Sequence, residues 1–228
     1  AHSNHLHATA EASKIAGLKS IGIVRGEEIA SETLSDCKAA GMELFFVSRE
    51  DYSRHEDQSY LHFLSEKFDF PFIIPQGGDN FYGTLGCSEI LKNINVKPDL
   101  IIVASGTGST TSGLLLSLDE HQQLYSVPAL KGGFMKDEIS KTLYNYLLDS
   151  ESTEEYMDSL TILDDYHFGG FAKYKPELIE FMQSFYENHK IKLDPIYTGK
   201  MMYALWQLIN NDYFAFGNVF INHAIQHH

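Results

Sequence analysis

With 228 residues, 43% of them apolar and 13% aromatic, the chain can bury a substantial core as one large domain or two modest ones. Its formal net charge of −14 argues against a sequence-independent grip on nucleic acid or an anionic membrane, since both need a basic surface, and favours a small-molecule ligand. Cys37 and Cys87 form neither a disulfide framework nor a zinc spacing, and no run nears the roughly 20 apolar residues of a membrane span or forms a signal peptide, so a cytoplasmic setting is the plain expectation.

Leu6, Ala10 and Ala16 recur at helical spacing behind Ser3 and Asn4 as candidate caps, which predicts a helix over about Ser3 to Ala16. SIGIV reads as a strand, Ser31 to Ala40 as a helix, LFFV as a strand, and DQSYLHFLSEKF as a helix with Tyr60, Phe63, Leu64 and Phe68 on one face. PFIIPQGGDNFYGTLG is irregular and glycine-rich, the candidate boundary between a small lobe, residues 1–72, and a large lobe, residues 73–228. Beyond it come a helix over Gly83 to Asn93, the buried strand DLIIVA, a strand at Leu124 to Val127, and an amphipathic helix over Met135 to Leu148. SLTIL is a short strand, Lys175 to His189 and Thr198 to Asn210 are helices, and NVFI closes the series. Strands alternating with helices of these lengths imply βαβ units and a mostly parallel α/β sheet.

At VASGTGSTTSGLLL a buried strand passes into a helix through a loop rich in glycine and hydroxyls. Ligands of open α/β sheets sit at the carboxyl ends of strands. Glycines allow close backbone approach, the helix start supplies N–H donors, and the hydroxyls of Ser105, Thr107, Ser109 and Thr110 add more, so the loop reads as an anion cup. A Walker A lysine is missing, because Leu114 follows Gly113, and Thr111 stands where a dinucleotide fingerprint needs its third glycine. A phosphate monoester fits better than either; a glycine-rich turn without a ligand is the bland alternative, disfavoured by the density of donors.

In DPIYTGK, Pro195 and Gly199 are expected to fix a turn at a helix start that projects Tyr197 and Thr198. Tyr197 is then an acid, base or hydrogen-bond donor, or equally a half-buried tyrosine beside a capping threonine. No metal is expected: His5 and His7 lie two apart on a helix and face different ways, His2 adds nothing to them, and His223 and His227 lack an acidic partner. Met201 and Met202 read as core packing.

SNHLHATA, IGIVRGEE, PQGGDN, VASGTGSTTSG, ALKGGF, YHFGGFAKY and LDPIYTGKM, in that order from Ala1 to about Gly217, resemble the 1-aminocyclopropane-1-carboxylate deaminase and D-cysteine desulfhydrase family. The resemblance implies a pyridoxal 5′-phosphate enzyme of fold type II, the tryptophan synthase β-like fold: two lobes of mostly parallel open sheets flanked by helices, with the cofactor between them, acting on a small amino acid as a homodimer. By the same resemblance the phosphate cup is Ala104, Ser105, Gly106, Thr107, Gly108, Ser109 and Thr110. Asn4 would meet the cofactor's phenolic oxygen, Ser3 would supply a hydroxyl beside the substrate carboxylate, Tyr197 would move or position a proton, and Thr198 would face the pyridine nitrogen. The deaminases carry Glu after the tyrosine and the desulfhydrases Thr; a neutral hydroxyl implies the weaker electron sink, sufficient to release an α-proton and expel a thiolate.

The chain departs from that pattern in three places. Phe171 stands near the deaminases' second active-site tyrosine, FINHAIQHH replaces a glycine-rich C-terminal segment, and the family's Schiff-base lysine belongs upstream of SNH, with Lys14, Lys131 and Lys200 not matching its motif. The chain therefore reads as a fragment, inactive alone, of an enzyme converting D-cysteine to pyruvate, sulfide and ammonia. The alternatives are a 1-aminocyclopropane-1-carboxylate deaminase releasing 2-oxobutanoate and a non-catalytic cofactor- or phosphate-binding remnant.

Overall fold

The computed structural model describes residues 3–214 and 219–222 and divides into two compact units, Ala1–Gly78 and Asp79–His228. In the first unit, α1 (Asn4–Ile15) begins at Ser3, whose extended backbone and side-chain oxygen, accepting from the Leu6 N–H at 3.2 Å, cap the first turn. The strands β1 (Ile21–Arg25) and β2 (Glu43–Val47) run parallel with Ile21 opposite Glu43, joined through α2 (Glu32–Ala39). The two helices bury Ala10, Cys37 and Met42, and Gly22 lets this layer close on the sheet, since a Cβ there would stand 2.9 Å from Leu6 Cδ1 and from Met42 Sδ.

A short helix not foreseen in the sequence, α3 (Arg49–Ser53), starts under a Ser48 cap; its polar REDYS carries no apolar period to read. The helix expected over residues 57–68 is α4 (Gln58–Lys67), capped by Asp57. It buries Tyr60 and Leu64, whereas Phe63 remains 51% exposed.

In the second unit, α5 (Phe81–Ser88) starts earlier than expected because the Asn80 side chain accepts from the Gly83 N–H at 2.8 Å. It also ends sooner, and Leu91–Asn93 form a separate 3-10 turn. The remaining elements are β3 (Leu100–Ser105), α6 (Ser109–Leu115), β4 (Gln123–Pro128), α7 (Met135–Leu147), α8 (Ser150–Met157), β5 (Leu160–Ile162), α9 (Pro176–His189), α10 (Thr198–Asn210) and β6 (Val219–Asn222). Acidic α8, under an Asp149 cap, is again an element without a readable apolar stripe.

The sheet is parallel throughout, in the order β5-β4-β3-β6. Its central strand explains the unbroken apolar run at residues 100–103, because both faces are covered. Ile101 and Val103 pack with Leu114, Ile139 and Leu143, while Leu100 and Ile102 pack with Met201, Ala204 and Leu205. Period-two alternation thus assigns α6 and α7 to one face of β3 and α10 to the other. The result is an α/β fold of parallel sheets flanked by helices, and none of the described helices is long and apolar enough to cross a membrane.

Candidate functional site

The loop between β3 and α6 is shaped by two glycines with different reasons to be glycine. Gly108 caps α6 with φ 98°, a left-handed conformation, and a Cβ there would also meet Ile139 Cγ1 at 3.1 Å. Gly106 clears space for an aromatic ring: a Cβ would stand 3.2 Å from Cε1 and 3.4 Å from the hydroxyl of Tyr197. Tyr197 and the loop, far apart in sequence, therefore meet edge to backbone. The N–H groups in the first turn of α6, from Ser109 to Thr111, have no acceptor within the helix and remain as donors at this strand end.

The loop hydroxyls do less toward an outside anion than their number suggested. Ser105 Oγ lies 2.6 Å from both Thr111 Oγ1 and Ser126 Oγ and is buried, so it braces the loop against β4 instead of facing a ligand. Ser109 Oγ donates to Asp79 Oδ1 at 3.0 Å, and Thr142 Oγ1 donates to the same oxygen at 3.3 Å. With the Ser109 proton so directed, the 3.1 Å contact between Thr107 Oγ1 and Ser109 Oγ has Thr107 as its donor. Thr110 Oγ1 accepts from Cys87 Sγ at 3.8 Å. Backbone N–H groups are thus the donors this loop has left to offer an anion, and a carboxylate sits behind one of the hydroxyls.

Tyr197 and Thr198 are mounted by Asp194, which the sequence reading passed over in favour of Pro195 and Gly199. Its Oδ1 accepts from the N–H groups of Ile196 at 2.9 Å and Tyr197 at 2.7 Å; its Oδ2 accepts from the Thr198 N–H at 3.0 Å and the Thr198 hydroxyl at 2.6 Å. The Asp194 N–H donates back to Thr198 Oγ1 at 2.8 Å. Gly199, expected to help fix the turn, lies in the first turn of α10, and its missing side chain makes room for Asp194 O and Met182 Sδ, which a Cβ would meet at 2.7 and 2.8 Å. An Asp followed by Pro is a readable turn signal, since the Asp side chain can accept from N–H groups two and three residues on, and it could have identified Asp194.

Burial, and then the Asp194 charge, raise the pKa of Tyr197, so its hydroxyl stays protonated through the neutral range. The Phe171 ring packs at 66° to the Tyr197 ring with centroids 6.2 Å apart, an apolar neighbour with no proton to give. Ser3 and Asn4 belong to the first unit, as the cap and first residue of α1. His5 packs its ring over Gly78, where a Cβ would meet Cε1 at 2.9 Å, and burial lowers its pKa. Among the described residues no three His, Cys, Asp or Glu side chains gather as a metal site; His2, His223 and His227 lie outside the described residues, as do 223–228 of FINHAIQHH.

The model of the pyridoxal-phosphate dependent enzyme family matches residues 1–223. A Pyrococcus horikoshii protein, provisionally named as a 1-aminocyclopropane-1-carboxylate deaminase, is 32% identical over 217 residues, covering 91% of this chain and 66% of that protein. The mitochondrial bifunctional D-cysteine desulfhydrase/1-aminocyclopropane-1-carboxylate deaminase of Arabidopsis thaliana is 28% identical, covering 92% of this chain and 57% of its own. The chain thus spans just under two-thirds, or less, of the length of these relatives. Among solved structures, an ACC deaminase homologue superposes with a TM-score of 0.75 at 26% identity, over 96% of this chain and 69% of that one.

The second unit's residues fit such a cofactor. The backbone donors beside Gly108 suit a phosphate monoester, and Gly106 admits a tyrosine ring whose hydroxyl lies at the loop. The Asp79 carboxylate runs against that polarity, and it is partly offset by the two hydroxyls it accepts from.

Proposed function

The chain belongs to the pyridoxal-phosphate-dependent enzyme family, and on that premise we propose that it serves β-elimination from a D-amino acid, D-cysteine to pyruvate, sulfide and ammonia. Thr198 carries the reading. Its hydroxyl proton is engaged by Asp194 Oδ2 and its oxygen already accepts one N–H, so it offers a ligand a single neutral acceptor lone pair in place of a carboxylate. Bound pyridoxal phosphate supplies an electron sink for the α-carbon, and a neutral partner at its ring nitrogen suits expulsion of a good leaving group such as a thiolate.

The assignments that follow are residue by residue. The backbone from Ala104 through Ser105, Gly106, Thr107, Gly108, Ser109 and Thr110 holds the phosphate, with N–H groups as the main donors. Tyr197, kept neutral by burial, holds a proton at its hydroxyl and can deliver or orient it. Phe171 packs beside Tyr197 and carries none. Asn4 is assigned to the cofactor's phenolic oxygen and Ser3 to the substrate carboxylate; the Ser3 oxygen accepts from the Leu6 N–H, which leaves its proton for donation.

A second reading, opening of the cyclopropane ring of 1-aminocyclopropane-1-carboxylate to 2-oxobutanoate and ammonia, draws support from the names of the relatives. Assay of the whole protein with each substrate separates the two. Sulfide and pyruvate from D-cysteine, without 2-oxobutanoate, is the expected result; 2-oxobutanoate without sulfide would overturn it in favour of the deaminase, and neither product would sink both.

A further inference from the structure

Lys200 is fully buried, one of the largest side chains in the molecule to be so, and neither the anion donors nor the proton-carrying groups described above include it. Its Nζ donates to Gly170 O at 2.9 Å and to Ala129 O at 3.2 Å. We infer that Lys200 is a positioning residue of the candidate site: its ammonium clamps the loop after β4 and the glycine loop before α9 to the helix start that carries Tyr197 and Thr198.

Burying an ammonium is costly unless its protons find acceptors, and an apolar side chain of similar volume would fill the same space without that cost. What the ammonium adds is direction, since it draws two backbone carbonyls from separate loops to one point. Both carbonyls lead back to the site. The Ala129 peptide also donates its N–H to Ser105 O at 2.9 Å, so a single residue links the base of the anion loop to Lys200. Gly170, at φ 115° where glycine is favoured, accepts from the Lys173 N–H at 3.1 Å as well, donates to His167 O at 3.0 Å, and precedes the Phe171 that packs on Tyr197. Three stretches conspicuous in the sequence, ALKGGF, YHFGGFAKY and LDPIYTGKM, are thereby joined at one nitrogen.

The titratable groups on the segments around Lys200 include Asp194 before its own helix, Asp164 and Asp165 in the 3-10 turn after β5, Lys131 in the loop after β4, and His167 and Lys173 flanking Gly170. Burial lowers the Lys200 pKa to about 8, and the Asp194 charge opposes that fall. The clamp is therefore cationic at neutral pH and loses its charge just above it. A neutral amine donates more weakly, but it is also cheaper to bury, and the lowered pKa says that the second effect is the larger.

The value of this clamp to function rests on the cofactor reading; the clamp itself does not, and the test separates them. Amide hydrogen-exchange protection at Ala129, Gly169, Gly170 and Lys173 is measured at pH 7 and pH 9.5 in the wild type, Lys200→Met and Lys200→Arg, alongside titration with pyridoxal phosphate. Lys200→Met should lower protection at these amides on the order of tenfold at pH 7 and weaken cofactor binding comparably. Opening that exposes Nζ must re-protonate it above pH 8, so protection at these amides in the wild type should rise from pH 7 to pH 9.5, a rise that Lys200→Met and Lys200→Arg, which do not titrate there, should lack. Unchanged protection in Lys200→Met overturns the inference. If that variant loses protection everywhere, the wild-type pH comparison decides: a rise at pH 9.5 confined to these amides supports the clamp, and none overturns it. A wild type that fails to bind pyridoxal phosphate sinks the cofactor reading and leaves the exchange result to judge the clamp alone.

Discussion

Asp194 and Thr198 form a reciprocal pair: the threonine hydroxyl donates to the carboxylate at 2.6 Å, and the aspartate N–H donates to that hydroxyl oxygen at 2.8 Å. The same carboxylate takes three further N–H groups of the turn. Asp194→Ala should therefore destabilise the protein by about 1–3 kcal/mol, as loss of a charged acceptor that serves several turn N–H groups does, read from the urea midpoint. It should also free the Thr198 proton. Asp194→Asn, which keeps an acceptor oxygen, should lose less.

Tyr197→Phe removes the proton carrier and leaves the ring over Gly106. Its folding midpoint should stay close to wild type, pyridoxal phosphate should bind within a few-fold, and product formation should fall by roughly 100-fold or more. Gly106→Ala pushes on that ring from the opposite side, where a Cβ would lie 3.2 Å from Cε1. It should weaken cofactor binding with little effect on stability, a split that equilibrium titration and thermal melting measure together.

Asp79 places a negative charge behind the Ser109 hydroxyl. Asp79→Asn keeps a side-chain oxygen to accept from Ser109 and removes the charge, so inorganic phosphate and pyridoxal phosphate should bind more tightly, by about 1 kcal/mol or roughly fivefold at low salt. The gain should shrink as ionic strength rises. Equal affinities for variant and wild type at low salt would remove Asp79 from the neighbourhood of the bound phosphate.

Gly113 lies in α6 where it passes α5, and a Cβ there would stand 2.6 Å from Thr84 O and overlap Cys87 Cβ. Ala for Gly gains about 1 kcal/mol in helix propensity. Overpacking against backbone costs about 1–3 kcal/mol, so Gly113→Ala should lower the melting temperature.

The buried Lys200 predicts a pH dependence of stability. Its folded pKa, about 8, lies below the ordinary lysine value of 10.5, so between these pH values the unfolded chain binds more protons and stability rises with pH. Below about pH 8 both states are protonated and this contribution is flat. Tyr52, Tyr60, Tyr125, Tyr166 and Tyr197, all raised above 10 mainly by burial, oppose the trend only above about pH 10. Between pH 8 and 10, Lys200→Met should lack the rise in unfolding free energy that the wild type has.

Much of the architecture was legible because it rests on local periodicity. The run LIIV could be read as a strand buried on both faces, and the stripe of Ile139 and Leu143 as a helix packed on it. Helices α3 and α8 escaped notice because REDYS and SESTEEYM are held by Ser48 and Asp149 caps more than by an apolar stripe. At the site, the glycines and hydroxyls of residues 105–111 announced a loop able to meet an anion. Their spacing said nothing of Ser105 turning inward to Ser126 or of Ser109 turning to Asp79, both settled by neighbours more than 20 residues away.

By itself, then, the sequence determined most of the strands and the helices with an apolar stripe, where a strand hands over to a glycine-rich helix start, and which family's motifs the chain carries in order. These follow from backbone propensity, capping chemistry and short-range pattern, all local in the chain. The tertiary structure alone decided that Tyr197 lies over Gly106, and that Lys200 reaches Gly170 and Ala129, 30 and 71 residues distant. Such contacts depend on how the sheet stacks its loops at one end, and a buried ammonium looks like any other lysine until the carbonyls that hold it are in place.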